Sequence, residues 1–131
     1  MTPPPNNWRA SLLELRAALL RLHKTLVDAE RLSYEIEHGP IKSNGDYLQL
    51  LIHNERFTWL QPYTKLVVNI DETEESKEPV SADVVDALWD RAKVLTAERT
   101  IHESLAKLLT HSAEVKAAVA EVVRIQGKRS M

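Results

Sequence analysis

LLRLHKTLVDAERLSYEIEHGP, residues 19–40, decides how this chain folds. Leucine and other apolar side chains recur in it at helical spacing, while His23, Glu30 and Glu37 interrupt them every seven residues. Extended toward the N-terminus, the pattern resolves into two apolar stripes. Leu12, Leu15, Leu19, Leu22, Leu26, Ala29, Ser33 and Ile36 follow alternating three and four spacing, and Leu13, Leu20, Val27 and Tyr34 form the second stripe. At about 100° per residue, Arg16, His23, Glu30 and Glu37 fall between the two stripes, so these polar groups interrupt an apolar arc. The far side is formed by Glu14, Arg21, Lys24, Asp28, Arg31, Glu35 and His38.

Asn6 or Asn7 is placed to cap this helix at Trp8, and Gly39 followed by Pro40 ends it. A helix over 8–38 rises about 45 Å and is the expected spine of the fold. Ser43, Asn44 and Gly45 mark a turn, after which Asp46 or a neighbour caps a short helix to about His53. Thr58 and Gln61 match a capping box for a third helix, which places Pro62 in its first turns. Residues 65–70 have strand-like composition, but Tyr63, Leu66, Val67 and Ile70 keep helical spacing. The acidic run DETEESKEP, residues 71–79, reads as a solvated linker, and Ser81 as the cap of a helix that reaches about Thr110, with a candidate break at Thr96. Ser112 caps a last helix over 113–126. The expectation is an all-α fold of five or six helices in an antiparallel bundle with a long first helix and a kinked middle. It comprises an extended leader at 1–7, one domain at 8–126 and a flexible basic tail at 127–131.

Composition narrows the function classes. A net charge of −2 on 131 residues gives no pull toward nucleic acid or anionic lipid, and no apolar run is long enough to span a membrane. The absence of cysteine excludes disulfides, thiolate metal sites and cysteine nucleophiles and fits a cytoplasmic location. The three glycines form no phosphate loop, and no serine nucleophile elbow or acid–base pair is identifiable. Phe57, Trp59 and Trp89 read as core anchors, and His53 and His111 as residues of helix ends.

The seam leaves two readings open. If the first helix packs one stripe on each of two neighbours, the residues between them lie in a groove where ion pairs satisfy them. Alternatively they form a site. In AERTIHESLAKLL, residues 97–109, Glu98 projects into the arc of Ile101, Leu105, Leu108 and Leu109, with His102 one turn later. If the two helices meet, His23, Glu30, Glu98 and His102 are candidate ligands for a divalent metal, since imidazole with carboxylate suits iron, manganese or zinc. His23 and Glu30 stand two turns, about 10.5 Å, apart and need partners placed between them to share an ion. Glu35 and His38 spell the Glu-x-x-His of di-iron bundles, but they lie on the polar side of the helix.

WRASLLELRAALLRLHKTLVDAERLSYE and FTWLQPYTKLVVNIDE resemble a family of small, uncharacterised bacterial helical proteins with LHK, DAER, YE and F-x-W-L-x-P patterns. The resemblance covers roughly the first half of the chain. It implies a bacterial, cytoplasmic helical protein and carries no activity. The resulting expectation is a non-enzymatic interaction or structural module that is a homo-oligomer, a homodimer for instance, or binds another protein. The alternative is a metal- or small-ligand-binding bundle that uses the His/Glu seam.

Overall fold

A computed structural model describes residues 1–129, and every regular element among them is a helix. There are seven: α1 (Trp8–His38), α2 (Asn44–His53), α3 (Glu55–Thr58), α4 (Gln61–Glu74), α5 (Ala82–Thr96), α6 (Glu103–Leu109) and α7 (Ala113–Arg129). No helix among the described residues is long and apolar enough to cross a membrane.

The spine forms as the stripe dictates. Leu12, Leu15, Leu19, Leu22 and Leu26 are fully buried, and α4 and α7 pack along α1. Both run antiparallel to it. Arg16 meets Asp71 while His23 meets Thr64, and Lys128 of α7 reaches back to Glu14. α5 lies antiparallel to α4, where Arg91 donates to Asn69 and the Tyr63 hydroxyl to the carbonyl of Leu95. The core between these four helices is filled by Tyr63, Leu66, Ile70, Val115 and Val122 beside the α1 leucines. Gly39 ends α1 with φ of 88°, a backbone conformation open to glycine, and its N–H closes on the carbonyl of Glu35.

Several boundaries differ from the sequence expectation. Asn7 is the N-cap of α1 but its side chain makes no capping bond; the Trp8 N–H instead closes a turn on the carbonyl of Pro5. Thr58 does not open the third long helix. The side chain of Asn54 accepts the N–H of Arg56 and starts the one-turn α3, of which Thr58 is the last residue, its hydroxyl donating to the carbonyl of Glu55. α4 therefore begins at Gln61, with Pro62 in its first turn where a missing N–H breaks nothing. At its far end α4 runs four residues into the acidic stretch, because Ile70 is buried against the core and Asp71 has a cation to meet on α1.

The helical pattern from Ala82 to about Thr110 is divided at the candidate break, Thr96, into two helices. α5 stops at Thr96, and the Thr100 hydroxyl, bonded to the carbonyls of Val94 and Ala97, stabilises a turn before α6. α7 continues through Gly127 to Arg129, where the expected tail begins; Lys128 and Arg129 are held by Glu14 and Asp86. The tail's last two residues lie outside the described residues. Phe57, Trp59 and Trp89 are buried, as core anchors should be.

Candidate functional site

The polar residues that interrupt the stripes of α1 are met one by one. Arg16 pairs with Asp71, His23 Nε2 lies 2.9 Å from the Thr64 hydroxyl, and Arg56 serves both remaining carboxylates, Nε to Glu30 at 3.4 Å and Nη1 to Glu37 at 2.8 Å. Its other terminal nitrogen donates to the Ser33 hydroxyl. The partners at 71, 64 and 56 descend in steps close to the heptad spacing of 16, 23, 30 and 37, as antiparallel helices require. Ion pairs at Arg16, Glu30 and Glu37 and a hydrogen bond at His23 thus join α1 to the α3–α4 segment.

Burial shapes the titration of Glu30 and His23. Desolvation pushes the Glu30 carboxyl above the usual carboxylate range, opposed by the charge and hydrogen bond of Arg56. Desolvation pushes His23 below the ordinary imidazole value. A depressed histidine favours the folded state above its unfolded pKa, and this contribution is lost as pH falls through the folded pKa. His23→Gln is therefore expected to flatten the acid-side decline of stability, measured by urea unfolding between pH 7.5 and 5. An unchanged slope would mean that His23 titrates alike in the folded and unfolded chain.

The four residues considered as metal ligands are dispersed over separate arrangements. His23 is held by Thr64 and Glu30 by Arg56. Glu98 lies exposed in the turn after α5. His102 is the N-cap of α6, where Nδ1 accepts the Ser104 N–H, and its ring stacks on Trp59 with centroids 5.6 Å apart. The one-turn spacing of Glu98 and His102 has no meaning once the helix stops at Thr96. Among the described residues no three His, Asp or Glu side chains come together as a metal ion would require. Glu35 accepts from Arg31 and from the N–H of Ile41, and His38 packs on the ring of Tyr34.

The second stripe also behaves differently along its length. Leu13 and Leu20 remain substantially exposed, while Val27 and Tyr34 are half-buried; the Tyr47 hydroxyl of α2 donates to the Val27 carbonyl, and Tyr34 lies against Phe57 of α3. α2 and α3 thus cover one side of the end of α1. The other side is less covered by the described residues. α7 begins only at Ala113, so beyond it the last turns of α1 expose Leu32 at 62% and Ile36 at 77%.

Those two side chains border a groove of about 570 Å³ floored by Ala29, Ser33 and Leu108 and rimmed by Asp28, His111 and Glu114. Ser33, Leu108 and His111 are shared with a smaller polar cavity of about 300 Å³ that holds Glu30, Glu37, Arg56 and Lys107. Seam and groove are contiguous. Sequence reasoning missed the groove because Leu32 belongs to neither stripe, yet it carries a signal: it is an apolar residue on the charged side of α1, one turn before Ile36. Arg56 was missed because its partners are seen only once α3 is placed.

Comparison with protein-family models, curated proteins and solved structures found no match.

Proposed function

We propose that this chain is a non-enzymatic helical-bundle protein that acts as a protein-interaction module, with the groove beside the end of α1 as its partner surface. The observation that carries the reading is the exposure of Leu32 and Ile36 beside a ready-formed apolar groove. Covering both side chains contributes on the order of 2–4 kcal/mol, enough to matter in a modest interface and of no use to the isolated fold. The seam supports the same assignment from the other direction: its polar groups are engaged with each other and stiffen the end of α1 that presents the groove. A reducing, cytoplasmic setting fits the lack of cysteine. The likeness of the first half of the chain to uncharacterised bacterial helical proteins adds no activity.

A photo-crosslinking residue tests the surface in the cells that make the protein. Placed at Ile36, it is expected to yield a discrete crosslinked species that disappears when Leu32 is also replaced by Ser. The same residue at Val94, exposed on α5, is expected to yield none. No species at Ile36, or the same species from both positions, overturns the reading.

A further inference from the structure

We infer that the occupant of the groove is an amphipathic helix with a basic flank. The inference rests on the partner-surface reading above and adds the chemistry of the partner. Length comes first. From Thr25 to Ile36 the groove follows α1 for about 16 Å, the span of three helical turns. A helix laid along it offers apolar anchors at i, i+3/i+4 and i+7, matching the run of Ala29, Leu32, Ile36 and Leu108.

Charge decides the flank. The lining holds two carboxylates, Asp28 and Glu114, and neither lysine nor arginine. Asp28 takes Lys24 Nζ at 3.1 Å, but both side chains are largely in solvent, 81% and 62% exposed, so this pair leaves Asp28 available. Among the described residues Glu114 accepts one long bond, 3.4 Å, from the Ser112 hydroxyl. The nearest cations in the adjoining polar cavity, Arg56 and Lys107, sit with Glu30 and Glu37, which offset them. The groove therefore presents net negative charge over an apolar floor. A second copy of this chain is the poorer occupant: a two-fold interface on this surface brings four carboxylates together and supplies no lining lysine or arginine.

The test uses two labelled 14-residue helical peptides with the same leucine anchors, one with lysine and one with glutamate at the remaining positions, read by fluorescence anisotropy on the intact protein. The lysine peptide is expected to bind at least tenfold more tightly, and Ile36→Ser with Leu32→Ser to weaken it at least tenfold. Asp28→Lys with Glu114→Lys is expected to reverse the preference, whereas Asp83→Lys with Asp90→Lys, exposed on α5, leaves it unchanged. If the doubly reversed protein fails to fold, Asp28→Asn with Glu114→Gln replaces it and is expected to remove most of the preference. Equal binding of the two peptides, a preference untouched by the groove substitutions, or one equally altered by the α5 control overturns the inference. So does concentration-dependent dimerisation abolished by Ile36→Ser, which assigns the groove to a second copy. A persisting crosslink at Ile36 with no charge preference would sink the basic helix alone; loss of both sinks the partner surface.

Discussion

Phe57→Ala is expected to lower the stability of the protein by about 3–5 kcal/mol, the largest effect of any substitution considered. Phe57 is fully buried although it sits in a helix of four residues. One turn cannot hold itself in water, since helix nucleation fixes several residues for a single hydrogen bond. What holds α3 is its contacts: the Phe57 ring meets Tyr34 of α1 at 5.7 Å and Tyr47 of α2 at 5.8 Å, each in a tilted or edge arrangement. Its removal leaves a cavity at the point where α1, α2 and α3 join. Thermal unfolding should show a fall in Tm on the order of 10 °C. Hydrogen exchange should rise first across residues 44–58 and leave the α1–α7 contact protected. If Phe57→Ala proves too unstable to purify, Phe57→Leu is expected to show the same regional pattern at about a third of the cost. A loss below about 1 kcal/mol for the alanine variant would mean that the ring is not what attaches α2 and α3 to the spine.

The same residue shows where the sequence stops being legible. Long periodic elements could be read because their signal is repeated: five leucines of α1 share one buried face, and Gly39–Pro40 marks its end without ambiguity. The short elements depend on competition between neighbouring caps. Asn54 and Thr58 both qualify as N-caps, and Asn54 wins because starting a turn there puts Phe57 into the core and Arg56 onto the seam. The break at Thr96 could be suspected from the sequence, but its consequence could not, since a helical wheel drawn through 97–102 places Glu98 in an apolar arc that does not exist. The polar interruptions of α1 could be located from the sequence, but not their partners, because Asp71, Thr64 and Arg56 are set by the antiparallel register of α4 and by the presence of α3. Exposure of Ile36 could not be read either. It continues the stripe in sequence, and only the starting point of α7 takes the core away from it.

Arg56→Met is the second large effect, and its pH dependence identifies the cause. The substitution keeps most of the apolar stem and removes the cation that faces Glu30, Glu37 and Ser33 together. Glu30 has only 9% of its side chain in solvent. Breaking a fully buried pair by removing one partner costs roughly 3–5 kcal/mol, and Arg56, with 26% of its side chain exposed, warrants a lower figure of about 2–3 kcal/mol at pH 7.5. Glu30 already titrates above the usual carboxylate range through desolvation, and Arg56 is the largest influence holding it down. Without Arg56 the folded pKa rises further. A carboxyl raised in the folded state binds its proton more readily there than in the unfolded chain, so its ionisation penalty is absent below the unfolded pKa and grows as pH rises through the folded pKa. The defect of Arg56→Met should therefore shrink as pH is lowered from 7.5 toward the range where Glu30 protonates, and Glu30→Gln added to it should restore most of the lost stability at pH 7.5. In the parent protein Glu30→Gln alone should change stability by less than about 1 kcal/mol, because it removes an opposed desolvation cost along with a charge pair, while Arg56 keeps Glu37 and Ser33. Urea unfolding of the four proteins at two pH values completes a double-mutant cycle. A pH-independent defect, or one that Glu30→Gln does not relieve, would place the role of Arg56 in packing beneath Tyr34, whose ring lies 5.9 Å from the guanidinium carbon.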